Sequence, residues 1–165
     1  METREAMDVI WAPWRMEYLE GDRMKDCIFC VAAADREDSR RHVLYRGQHA
    51  FIIMNRYPYT SGHLMVAPYR HLSQMEELDG EEMAELMALA RKGVKALKKG
   101  YRPQGFNIGI NIGAVAGAGI EAHIHLHVVP RWKGDTNFMP VLGSARVMPE
   151  SLESTYKKLA EYINE

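Results

Sequence analysis

The sequence predicts an α+β fold: an antiparallel sheet of about five strands, one long helix packed across it and a helix at the C-terminus. Three observations predict it. Short apolar or alternating runs, separated by turns rich in Gly, Pro, Asn or Tyr, read as strands. The stretch Asp79 to Gly100 places apolar side chains at helical spacing, and the chain closes on a second stripe of that kind.

The strands come first. HVLYRG from His42, AFIIMN from Ala50 and HLMVAP from His63 are each short and apolar. The last two are joined by the turn NRYPYTSG, so they form an antiparallel pair with Asn55 and His63 near its ends. Asp79 with Glu82 makes a capping-box pattern ahead of a stripe of Met83, Leu86, Met87, Ala90, Val94 and Leu97, which is read as core. Lys92, Lys95, Lys98 and Lys99 load the C-terminal half of that helix, and Gly100 is expected to stop it. FNIGINI, Phe106 to Ile112, alternates again, with Asn107, Gly109 and Asn111 on one face. Pro149 and Ser151 open a last helix carrying Leu152, Tyr156, Leu159 and Ile163. Asp35 to Arg41, DREDSRR, reads as a solvated charged loop.

At 165 residues and 47% hydrophobic content the chain fits one domain over residues 1–165, made of an aromatic-rich segment at 1–26, the strands at 105–132 and the helix at 150–165. A formal charge of −1 argues against a partner held by bulk electrostatics, whether nucleic acid or an anionic membrane. The opening segment, with Trp11, Pro13, Trp14 and Tyr18, has no unbroken apolar run of the secretory kind, and no stretch is long and apolar enough to span a bilayer. Cytoplasmic placement is the expectation.

The chemistry concentrates in AHIHLHVVPRW, Ala122 to Trp132. His123, His125 and His127 alternate with Ile124, Leu126 and Val128, which puts three imidazoles on one strand face, with Cα atoms roughly 6.5 to 7 Å apart. Each ring brings two nitrogens that need partners, so packing explains the run poorly. Metal ligation and nucleophilic or acid/base catalysis are the two readings. Upstream, Cys27-Ile-Phe-Cys30 is ambiguous between zinc, redox chemistry and coincidence, although its flanks do not read as a βαβ unit. Asn55 suits either a ribose diol or an Asx-turn. The short-side-chain loop GAVAGAGIEA, Gly113 to Ala122, can turn backbone N–H groups toward phosphate oxygens, while a plain tight connection is its alternative.

HIHLHVV matches the pattern His-φ-His-φ-His-φ-φ, with φ apolar, of the histidine triad family, and Pro130 follows. The likeness extends through CIFC, NRYPYTSGHLMVAPYRH and GFNIGINIG, and with WAPWRMEYL and PRWKGDTNF the chain resembles the bacterial diadenosine tetraphosphate phosphorylase-like branch.

That resemblance implies a nucleotidyl hydrolase or transferase acting on dinucleoside polyphosphates. It makes His125 the nucleophile, with the proton on its other ring nitrogen donated to the backbone carbonyl of His123, and His127 a donor to phosphate oxygens. It implies nucleotide contacts from Asn55, Asn111, Gly117, Ala118, Gly119 and His127, with His63 bordering the site. It distributes a structural zinc over Cys27, Cys30, His71 and His123, with magnesium accompanying the substrate, and it implies a homodimer. Arg131 and Lys133 are candidates for charge near the polyphosphate, and Trp14 and Trp132 for contacts to a base or to packing. One departure concerns the acceptor: relatives in that branch carry Gly and Ser where this chain has Ala118 and Gly119. Water is therefore slightly favoured over phosphate. A nucleoside phosphoramidate hydrolase and a non-catalytic nucleotide-binding module are the competing readings.

Overall fold

The computed structural model describes residues 26–135 and 148–165. The expectations for Trp14 and the segment before residue 26 lie outside them. A short helix α1 (Ile28–Ala34) and a one-turn helix α2 (Asp38–Arg41) lead into strands β1 (Val43–Arg46), β2 (Ala50–Met54) and β3 (Leu64–Pro68). Helix α3 (Gly80–Tyr101), strands β4 (Gly105–Ile110) and β5 (Leu126–Arg131), and helix α4 (Leu152–Tyr162) follow. All strand pairs are antiparallel, in the order β1-β2-β3-β5-β4, so β5 is inserted beside β3 and β4 is an edge. The α+β expectation is borne out.

Alternation along each strand separates two apolar layers. Ile52, Met54, Leu64, Val66, Leu126 and Val128 face α3 and α4 and form the main core, whereas Phe51, Ile53, Met65 and Ala67 face the other way and pack with Phe29 of α1. The triad belongs to this second face.

Helix α3 begins as expected: the Asp79 side chain accepts from the Glu82 N–H and Glu82 returns the bond to the Asp79 N–H. Two details differ. The buried arc runs through Leu86, Leu89, Ala90, Gly93, Ala96 and Leu97, while Met83 and Met87 lie on its flank at 40% and 56% exposure and are not core. Gly100 does not stop the helix; Arg102 does, in the left-handed region at φ 48°. Gly100 instead admits Tyr162 of α4, which an added Cβ would meet at 3.4 Å.

Three further readings are corrected. Asp38–Arg41 of the charged loop is helical, and its carboxylates are engaged: Asp35 accepts from Arg41 and Asp38 from Arg46. Strand β4 ends at Ile110, so Asn111 and Ile112 lie beyond it. As an edge strand it pairs with β5 alone, which leaves Ile108 47% exposed. Strand β5 starts at Leu126, after His123 and His125, although the Ile124 N–H still donates to Leu72 O at 2.7 Å and keeps that approach fixed.

A candidate active site and metal centre on one sheet face

His127 pairs with Met65 of β3 and Gly109 of β4, near the middle of the sheet. His123, His125 and His127 are buried, with 0%, 4% and 9% exposure. Buried imidazoles must have partners, and here the partners decide which ring nitrogen carries each proton.

His125 Nδ1 stands 2.8 Å from the carbonyl oxygen of His123. A carbonyl only accepts, so Nδ1 holds the proton and Nε2 carries a lone pair. Burial pushes the His125 pKa down, against the hydrogen bond to His123, which raises it, and together with the charge of His123. The unprotonated form is favoured. His123 Nε2 lies 2.9 Å from the Pro68 carbonyl, which by the same reasoning leaves its Nδ1 with a lone pair. That Nδ1 faces sulfur, 3.3 Å from Cys27 Sγ and 3.7 Å from Cys30 Sγ.

His127 is set through a neighbour. The Tyr59 N–H donates to His63 Nδ1 at 3.2 Å, and Asn55 Nδ2 lies 3.3 Å from the same atom. Asn55 Oδ1 accepts the Tyr57 N–H at 2.8 Å, which orients the amide so that its NH₂ faces His63. His63 Nδ1 is thus an acceptor and Nε2 its protonated nitrogen. That Nε2–H donates to His127 Nδ1 at 2.9 Å, which puts the His127 proton on Nε2.

Cys27, Cys30, His71 and His123 come together, with one ligand atom from each lying within 4.8 Å of every other. His71 Nδ1 is 3.2 Å from Cys30 Sγ. Burial raises the Cys27 thiol, but the His123 side chain and the N–H groups of Cys30 and Phe29 outweigh it and bring the pKa down to about 6. Two sulfurs and two imidazole nitrogens with a lone pair on His123 Nδ1 suit a tetrahedral zinc. The donor set fits.

A family model for the HIT domain matches residues 36–134. The chain belongs to the histidine triad family. It is 40% identical to an AP-4-A phosphorylase of Mycobacterium tuberculosis over 95% of this chain and 85% of that one. A bis(5'-nucleosyl)-tetraphosphatase [asymmetrical] of Schizosaccharomyces pombe is 32% identical over 56% of this chain and 50% of its own. Among solved structures, a Zn-bound histidine triad family protein from Mycobacterium smegmatis superposes with a TM-score of 0.67 at 26% identity, covering 84% of this chain and 94% of that one. No helix among the described residues is long and apolar enough to cross a membrane.

Within this HIT domain the other expected residues fall as follows. Gly113 and Gly117 adopt φ of 80° and 85° at either end of a short 3-10 turn, Ala114–Ala116, in the loop that precedes the triad. Asn55 adopts the Asx-turn geometry and touches His63 as well. Arg131 is held by Asp135 through two bonds and by Asn107 Oδ1, so it is not a loose cation for phosphate. Trp132 is partly buried, its backbone N–H donating to Asp135 Oδ2. Two side chains were missed. Phe29, 0% exposed, sets its ring 5.0 Å from that of His123 and 4.8 Å from that of His125. Tyr59 lies over His63 and His127 with centroid distances of 4.6 and 6.0 Å. Phe29 sits inside the C-x-x-C itself and Tyr59 inside the turn that carries Asn55, which was the available signal.

Proposed function

We propose that this HIT protein is a nucleotidyl hydrolase or transferase that cleaves dinucleoside polyphosphates of the diadenosine tetraphosphate kind through a covalent nucleotidyl-His125. The observation that carries the reading is the bond from His125 Nδ1–H to the His123 carbonyl, which leaves a lone pair on Nε2 beside the His127 ring, 4.7 Å away between centroids. Likeness to the AP-4-A phosphorylase supports the substrate class.

In the first step His125 Nε2 bonds to the α-phosphorus and the bridging P–O bond breaks, releasing a nucleotide. His127 Nε2–H donates to the phosphate oxygens that gain charge; Gly117, Ala118 and Gly119 are the loop positions nearest the phosphates in the family pattern, and within the loop the Gly117 and Ala118 N–H groups bond Ala114 O and Gly113 O. In the second step an acceptor oxygen displaces His125 from phosphorus. Ala118 and Gly119, where relatives of that branch carry Gly and Ser, favour water slightly over phosphate as acceptor. Asn55 retains a second N–H and a second lone pair beyond its contacts to His63 and Tyr57, which suits a ribose diol, and Asn111 lies just past β4 on the approach to the loop. Magnesium accompanies the polyphosphate.

Cys27, Cys30, His71 and His123 would hold a structural zinc. Bound there, zinc supplies rigidity to the His123 backbone that orients His125, not Lewis acidity. The exposed Ile108 and Ile112 beside the β4 edge, with Met83 and Met87 on α3, support a homodimer. A thiol pair used as ligands supports a cytoplasmic setting.

The test is incubation with diadenosine tetraphosphate, with and without inorganic phosphate, followed by chromatography. Phosphate-dependent ADP with ATP identifies a phosphorylase; phosphate-independent AMP with ATP identifies an asymmetric hydrolase. Absence of both product pairs would sink the reading and direct the assay to an adenosine phosphoramidate. H125N is expected to bind nucleotide while turnover falls by at least about 10³-fold.

A further inference from the structure

Helix α1 holds the nucleophile's surroundings yet has little means of holding itself. It is 7 residues long, its N-cap residue Cys27 makes no side-chain capping bond, and its first turn carries no acidic residue to complement the helix dipole. Isolated helices shorter than about 12 residues are marginal in water. Nevertheless it carries Cys27 and Cys30 at one end, and on the face toward the sheet Phe29, whose ring rests on both His123 and His125.

Its C-terminal end is tied down from another element. Arg46, the last residue of β1, donates from Nη1 to Ala33 O at 3.1 Å and from Nη2 to Ala32 O at 2.8 Å and Asp35 O at 2.6 Å. Its Nε also meets Asp38 Oδ1 of α2 at 2.9 Å. These carbonyls belong to the last turn of α1 and its C-cap, where helical partners run out. The Arg46 side chain is 16% exposed, and the Tyr69 phenol stands beside it, two residues ahead of His71. One side chain therefore fastens the helix that bears both thiols and abuts the segment that bears a third ligand.

We infer that Arg46 is a positioning residue for catalysis: by capping α1 from β1 it holds Phe29 against His125 and Cys27 and Cys30 at the metal centre. The catalytic half of the inference rests on the reaction proposed above, and the metal half only on the zinc proposed for Cys27, Cys30, His71 and His123. Only a planar fork with several N–H groups spans three carbonyls and a carboxylate, so lysine is a poor substitute. The helix would survive in R46K, but with a loose C-terminal end.

The experiment compares wild type, R46K, R46M and D38N as zinc-loaded proteins. Two quantities are read: the rate of zinc release to a chromogenic chelator, and kcat and KM for diadenosine tetraphosphate. R46K and R46M are expected to release zinc roughly 10- to 100-fold faster and to lose kcat by a similar factor, with KM changed less than about threefold, and D38N to fall between them and wild type. Wild-type release and kcat in R46K, whatever its melting temperature, would overturn the inference by leaving Arg46 a purely structural cap. R46K also decides the matter if R46M does not fold. H125N serves as the separating control: it should lose turnover while releasing zinc at the wild-type rate. If H125N kept its turnover the nucleophile assignment would fall, and the release rates would still decide Arg46.

Discussion

His63 Nε2 and His127 Nδ1 meet at 2.9 Å, joining the end of the β2–β3 turn to the last histidine of the triad. Because the Tyr59 N–H fixes His63 from the other side, this bond sets the tautomer of His127 and not merely its position. Replacing His63 by Ala is expected to lower kcat by about 10- to 100-fold with a smaller change in KM. H63Q, whose amide N–H can still donate to His127, should recover part of the loss. Equal kcat in H63A and H63Q would count against a tautomer role and leave only packing.

Glu82 offers a pH prediction. Its carboxylate, 3% exposed, accepts from Arg70 Nε at 2.6 Å and from the Asp79 N–H at 3.0 Å. The Arg70 bond, against burial and with help from Asp79, brings the pKa from 4.5 to about 2. The folded value lies below the unfolded one, so this contribution is complete above pH 4.5 and is lost as the pH falls through about 2. E82Q should cost on the order of 2–3 kcal/mol at neutral pH and flatten the acid limb of stability. Urea melts between pH 6 and pH 2.5 measure both, and parallel curves for the two proteins would refute the assignment.

Gly62, immediately before His63, has φ +81°, and a Cβ there would meet Leu97 Cδ2 at 2.7 Å. G62A therefore combines a left-handed conformation with a contact in the α3 core. A loss of roughly 1–3 kcal/mol is expected by thermal or chemical melting. A variant as stable as wild type would mean that Leu97 moves aside at little cost.

Protein purified without added metal should contain about one zinc per chain, and C30S much less. Chelation is expected to lower the melting temperature and then the turnover, because His123 carries both the nitrogen that faces Cys27 and would ligate zinc and the carbonyl that accepts from His125. Turnover that persists in demonstrably metal-free protein would separate the two roles of His123.

Much of this arrangement was legible from the chain because it obeys short periods. Alternation placed His123, His125 and His127 on one face, and the D-x-x-E pattern placed the start of α3 within a residue. What was not legible depends on tertiary register. Met83 and Met87 satisfy helical spacing as well as Leu89 and Gly93 do, and only the direction of the sheet decides which flank is covered. Helix α1 lacks a capping side chain and is held by Arg46 from a strand, so no local pattern announced it. The His63–His127 bond spans 64 residues and exists only because β5 inserts beside β3. The resemblance to histidine triad proteins supplied the grouping of Cys27, Cys30, His71 and His123, which spacing could not.

The grouping of Cys27, Cys30, His71 and His123 also implies an order in how this protein is made. Cys27 and His123 are separated by 96 residues, so both thiols are synthesised long before the last member of the group. At about 5–20 residues per second, that interval lasts roughly 5 to 20 s. Over that interval Cys27 and Cys30 would stand without His123, and a metal held by all four residues could be enclosed only once the triad has been made.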